Sequence, residues 1–180
     1  VVRKAELLRG GCTEEEATQL NGRSLMMLAT GISAGFGCVL FPEGTSHNES
    51  SMLRFRTGPF RTVFAAAAIA KANNQPIPAV IPLGLHFRRR DHFRTDVWVE
   101  YDAPHQIQED DIPNELVQAV AKGNWVEPAA DNVFALRDAL RLKLVPLTPN
   151  TRDWEEHHAL HLMGHVEARR TNQPSLSWRE

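Results

Sequence analysis

One hundred and eighty residues with 42% hydrophobic content suffice for one ordinary domain with a core plus an appendage, and leave little room for a second full domain. A formal charge of -2 and a pI near 6.5 exclude a global basic field that would recruit nucleic acid, so an anionic ligand must be held by a local cluster. Two widely spaced cysteines, Cys12 and Cys38, argue against a disulfide framework and against paired-thiol zinc ligation, and fit a reducing compartment.

Val1-Val2-Arg3 reads as a strand entered midway, with neither an initiator Met nor a targeting segment, so the chain is expected to be a fragment. Thr13 followed by three glutamates predicts a helix from residue 14, because the Thr hydroxyl caps an orphan N–H while Glu16 reaches back. Leu20, Met27, Leu28 and Ile32 carry its apolar stripe to Ala34, with Asn21-Gly22 as a candidate break and Gly35 and Gly37 as the stop. The methionines are expected as core filler. Cys38–Phe41 is a short apolar run between glycine and Pro42, the pattern of a buried strand that releases the chain into a loop.

Gly58-Pro59 predicts a helix starting at Phe60, with Phe60, Val63, Phe64 and Ala67 on one face and an end near Asn73-Asn74. Two strand candidates follow, Ala79–Phe87 and Asp96–Tyr101. Beyond Pro104 the composition turns to helices broken at Pro113, Pro128, Pro146 and Pro149. This order predicts an α/β domain over residues 1–105, a mixed sheet flanked by helices, and a helical C-terminal extension over 106–180. The most apolar run, Val63–Ala70, is less than half the roughly 20 residues that span a bilayer, so membrane contact by these residues would be peripheral.

The chemistry concentrates in Phe41-Pro42-Glu43-Gly44-Thr45-Ser46, which joins a predicted strand end, a glycine that admits close backbone approach, and small hydroxyls able to donate to phosphate oxygens. Arg54 and Arg56 follow, and a guanidinium pairs with phosphate in a bidentate fork. Spacing alone equally fits a plain β-to-α turn with solvated arginines.

The segment FPEGT resembles the third sequence block of the glycerol-3-phosphate and lysophosphatidate acyltransferase family, and SHNESSMLRFRTG resembles the family's continuation into a helix. Val1-Val2-Arg3 resembles the end of the second block and IPAVIPLGLHF, residues 77–87, the fourth, so the resemblance covers roughly residues 1–105. Thr45-Ser46-His47 and the tail LTPNTRDWEEHHAL look closer to the glycerol-3-phosphate/dihydroxyacetone-phosphate branch.

The resemblance implies an O-acyltransferase of phospholipid synthesis that moves a fatty acyl group from acyl-CoA or acyl carrier protein to glycerol 3-phosphate or a lysophospholipid. It implies no bound cofactor and no metal, and a place on the cytoplasmic side of a membrane. Glu43, Gly44 and Thr45 would seat the acceptor, Arg3 would hold its phosphate, and Arg56 would add positive charge at the mouth. The family's His base and its orienting Asp stand in an Asn-His-x4-Asp block ahead of the second block, which places them upstream of Val1. These 180 residues alone are therefore expected to have little or no transferase activity. The rival is a non-catalytic module that binds a lipid headgroup or phosphate through the same loop.

Four further features have bland and sharp explanations. His86 and Asp91 spell His-x4-Asp but lack the preceding Asn and follow the fourth block, which makes them a coincidence. Arg88-Arg89-Arg90 with Arg94 is a solvated loop or a contact for anionic headgroups or coenzyme A phosphates. His157, His161 and His165 share a helix face with His158 beside them, yet the run is not HExxH, and a polar face is the simpler account than a metal site. Trp125, Trp154 and Trp178 with Leu160, Leu162 and Met163 are expected in packing rather than at an interface.

Overall fold

The computed structural model describes residues 4–87 and 91–172, so the expected second-block strand with Arg3, the Arg88-Arg89-Arg90 run and Trp178 lie outside the described residues. The chain divides into two compact units, each assembled from three separate stretches.

The first unit takes its described residues from 4–42, 56–80 and 106–137 and is helical. Helix α1 (Lys4–Arg9) leads to α2 (Glu14–Ser33), whose start is the capping box expected at Thr13. The Thr13 hydroxyl accepts from the Glu16 N–H at 3.2 Å, while the Thr13 N–H donates to the Glu16 carboxylate at 2.9 Å. Asn21-Gly22 does not break α2. Gly22 is instead a packing position, because a Cβ there would come 2.8 Å from the Trp125 indole.

Helix α3 (Gly58–Ala72) packs against both α2 and α4 (Asn114–Ala121). Phe60, Phe64 and the run Ala65–Ala70 are buried, and alanines on nearly every side let neighbouring elements approach closely. Its ends fall within two residues of those predicted, with Pro59 in the first turn. A short 3-10 turn, Glu109–Asp111, precedes α4, and Ile107, Ile112, Leu116 and Val120 complete the apolar layer.

The strand expected at Cys38–Phe41 is not formed: these residues are irregular, and Val39 and Phe41 are exposed. A strand exists only by exchanging backbone hydrogen bonds with a neighbour, and among the described residues none pairs with this run.

The second unit takes its described residues from 43–55, 81–87, 91–105 and 138–172. Its strands β1 (Leu83–Phe87) and β2 (Val97–Tyr101) form an antiparallel pair with Leu83 opposite Tyr101, Leu85 opposite Val99 and Phe87 opposite Val97. Both lie inside their predicted windows, and β1 starts after Pro82, which cannot donate to a ladder. Helix α5 (Ala130–Leu144) ends in this unit, followed by a 3-10 turn (Val145–Leu147) and α6 (Trp154–Thr171). Leu147 is fully buried, and its carbonyl lies against Gly84, so that a Cβ at Gly84 would collide with it.

One face of the β1–β2 pair carries Gly84, His86, Glu100 and the 57%-exposed Trp98, and the other face is apolar and open. Gly84, His86 and Glu100 are buried or nearly so, whereas Leu83, Leu85, Phe87, Val97, Val99 and Tyr101 are exposed. No helix of the described residues is long and apolar enough to cross a membrane.

Candidate functional site

The loop that carries Glu43, Gly44 and Thr45 belongs to the second unit and has no regular secondary structure from Glu43 to Phe55. Side chains give it its shape. Glu43 is mostly covered, and one carboxylate oxygen receives the Leu53 N–H at 2.7 Å and stands 2.6 Å from His47 Nε2. The Glu49 N–H donates to His47 Nδ1 at 3.1 Å, so Nδ1 carries the lone pair and Nε2 carries the hydrogen that Glu43 receives. Glu43, four residues before its histidine and ten before Leu53, thus closes the loop from within.

Gly44 has φ of 69°, in the left-handed region that favours glycine, and turns the chain away from Glu43 directly before the exposed Thr45 and Ser46. The Thr45 hydroxyl donates to the adjacent Ser46 carbonyl at 3.3 Å. The Glu43 carboxylate is therefore bonded within the loop, while Thr45 and Ser46 are exposed.

The side chains of Arg54 and Arg56 are exposed and make no hydrogen bond or ion pair among the described residues. Arg56 is fixed at its backbone, donating its N–H to the Pro42 carbonyl at 2.7 Å. Both guanidiniums are thus available to an anion.

The rest of the loop is held by residues about a hundred positions away. The Ser50 hydroxyl donates to the Thr151 carbonyl at 3.0 Å, and Thr151 returns its N–H and its hydroxyl to the Ser50 carbonyl, each at 3.3 Å. The Met52 N–H donates to Asn150 Oδ1 at 3.2 Å, and the Trp154 indole donates to the Asn48 carbonyl at 2.7 Å. Arg141 donates to the Leu53 carbonyl at 3.3 Å and lies 5.4 Å from the Phe55 ring centroid. The stretch Asn150–Trp154 stands out in the sequence only as a mark of one family branch, and its role as the seat of the loop has no local signal. His47 has one: a histidine four residues after a glutamate.

His86 stands 3.6 Å from Glu100 of β2, both side chains about nine-tenths covered. Burial lowers the His86 pKa from its ordinary value, against the opposing pull of Glu100 and the Leu147 carbonyl. Asp91 is exposed, 3.9 Å from His92. On α6 the Trp154 and His157 rings meet edge to face at 5.1 Å, and burial, helped by His158 and His161, lowers the His157 pKa. Among the described residues no group of three or more His, Cys, Asp or Glu side chains is placed to hold a metal ion. Leu160, Leu162 and Met163 are exposed on α6, contrary to the expectation that they pack: the helix buries only Ala168. Cys12 and Cys38 are both free thiols.

A stretch of 69 residues is 39% identical to Glycerol-3-phosphate O-acyltransferase 2 of Saccharomyces cerevisiae, covering 38% of this chain and 9% of that protein. The chain thus spans about a tenth of the length of the curated relative it matches. No family model matches the chain, and no solved structure matches it. Part of this chain is similar to part of an acyltransferase.

Proposed function

We propose that this chain contributes the acceptor-binding part of an O-acyltransferase that transfers a fatty acyl group from an acyl thioester to the hydroxyl of glycerol 3-phosphate or a lysophospholipid. The observation that carries the reading is the coincidence of two independent facts. The loop from Glu43 to Phe55 exposes Thr45, Ser46 and the unpaired Arg54 while its glutamate is bonded within the loop, and part of the chain is 39% identical to an enzyme named for that reaction.

In the proposed reaction the acceptor hydroxyl attacks the thioester carbonyl. A C–O bond forms, the C–S bond breaks, and the thiol of coenzyme A or acyl carrier protein leaves with a proton. The role of the described residues is to hold the acceptor. Arg54 pairs with its phosphate, and Thr45 and the backbone after Gly44 supply donors; Arg56 is proposed as added positive charge on the family resemblance. The family resemblance assigns the proton-accepting His and its Asp to a separate Asn-His-x4-Asp block, and none of the histidines described above takes that role. Arg3 is proposed as a further phosphate ligand on the same resemblance.

The proposed setting is the cytoplasmic face of a membrane. The outward apolar face of β1–β2 and Phe93, 91% exposed beside Arg94, support it, since apolar side chains flanked by cations suit an anionic lipid surface.

The test is acyl transfer to radiolabelled glycerol 3-phosphate by the protein expressed from its full coding region. Arg54→Ala should raise the KM for glycerol 3-phosphate by about tenfold or more, because a charge-assisted pair to phosphate is lost. Binding of glycerol 3-phosphate with no transfer from either acyl-CoA or acyl carrier protein would sink the reading and leave a phosphate-binding module.

A further inference from the structure

The loop from Glu43 to Phe55 is too irregular to hold its own shape. Its internal bonds, from Glu43 to Leu53 and from His47 to Glu43 and the Glu49 N–H, close its two ends but do not reach the Asn48 carbonyl, Ser50 or the Met52 N–H. Those are the positions that the distant segment occupies: Trp154 takes the Asn48 carbonyl, Thr151 takes both polar groups offered by Ser50, and Asn150 takes the Met52 N–H. Ser50 and Thr151 are each 8% exposed, so their reciprocal bonds are shielded from competing water. Asn150 is itself fixed, donating through Nδ2 to the Val145 and Thr148 carbonyls and to the Thr148 hydroxyl. Trp154 opens α6 immediately after its N-cap, Asp153, whose carboxylate accepts the Glu156 N–H at 2.8 Å.

We propose that Asn150, Thr151 and Trp154 are positioning residues for the phosphate-acceptor loop, so that the C-terminal segment sets acceptor affinity without touching the acceptor. The inference rests on the acceptor-binding reading of the loop given above. Its physical basis is that ordering a loop residue costs backbone entropy. A loop ordered on folding does not bear that cost again on binding. Thr45 and Arg54 flank the stretch whose course these bonds fix, and in the proposal their donors reach a phosphate together only when that course is fixed.

The experiment compares Asn150→Ala, Thr151→Val, Thr151→Ser and Trp154→Phe with the parent, all from the full coding region. Two quantities are read: hydrogen exchange at Glu49, Met52 and Leu53 against amides of α3, and the Kd for glycerol 3-phosphate by titration calorimetry, which needs no turnover. Asn150→Ala, Thr151→Val and Trp154→Phe should each speed loop exchange about fivefold or more and weaken acceptor binding by a similar factor, with α3 exchange unchanged. Thr151→Ser keeps the hydroxyl and should restore both values.

Faster loop exchange with an unchanged Kd overturns the proposal, as does unchanged loop exchange. A fall in protection that includes α3 also overturns it, by reducing these residues to general stability. Acyl transfer is assayed separately: a parent that binds glycerol 3-phosphate but transfers nothing defeats the transferase reading, while the variants' Kd still decides this one. A parent that binds no glycerol 3-phosphate defeats the positioning role.

Discussion

The two units solve the problem of order with different materials. In the first, α3 is sheathed on nearly every side by other elements, and its alanines and phenylalanines hold it by non-directional burial. In the second, an irregular loop is held by single hydrogen bonds from Glu43, His47, Asn150, Thr151 and Trp154, each of which must have its own geometry. Burial tolerates small displacement and yields stability. A set of directed bonds tolerates little and yields a defined backbone course, which a ligand needs more than stability. Burial thus holds the helical unit, and directed bonds hold the loop.

The contrast can be broken most forcefully in the helical unit. Phe64→Ala should cost about 3–5 kcal/mol, enough to unfold a marginal domain, as read from urea denaturation. A loss below about 1 kcal/mol would mean that α3 is not the centre of a packed core. Next comes Gly84→Ala, where the new methyl meets the Leu147 carbonyl; the expected loss is about 1–3 kcal/mol, and an unchanged midpoint would show that the 3-10 turn moves freely. Ser50→Ala should cost about 1–2 kcal/mol, by leaving a Thr151 carbonyl without its donor, and should raise exchange in the loop before it lowers the global midpoint.

Smaller still is a pH effect. Burial keeps His86 below its ordinary 6.5, so it binds its proton less readily folded than unfolded. Its stabilising contribution is fully present above 6.5 and is lost as pH falls below that value toward the folded-state pKa. His157, lowered chiefly by burial, adds with the same sign. Thermal midpoints should therefore decline as pH is lowered from about 7 to about 5, and decline less steeply in His86→Gln; a parallel decline would remove His86 from the account. The smallest effect belongs to Arg152→Ala. Its bonds to Glu156 lie in solvent, and no resolvable change in midpoint is expected.

What the sequence reveals depends on how far apart the partners stand. Thr13 and Glu16 are three residues apart, and their capping box is legible at once. The periodic stripe of α3 and the short strand runs that contain β1 and β2 need only a dozen residues to be seen, and β1 and β2 fall inside their predicted windows. Gly22 misleads because its reason, the indole of Trp125, is about a hundred residues away, and a local rule sees only a glycine. Cys38–Phe41 misleads for the complementary reason: its composition suits a strand, but strand formation is decided by a neighbour. The glycine that turns the loop, Gly44, is legible in the sequence. The hands that hold it, Asn150, Thr151 and Trp154, are not, since nothing in Thr-Pro-Asn-Thr-Arg-Asp-Trp announces what it will bond.

The 106 residues between Asn48 and Trp154 also set an order of events. A ribosome adds about 5–20 residues each second, so the loop emerges roughly 5–20 s before its last holder has been made. During that interval α2 and α3 can already pack, since both lie early in the chain. The nascent protein therefore owns its core before it owns a finished loop, and a message cut short after α5 would yield a product that folds in part yet lacks the residues that hold Asn48, Ser50 and Met52.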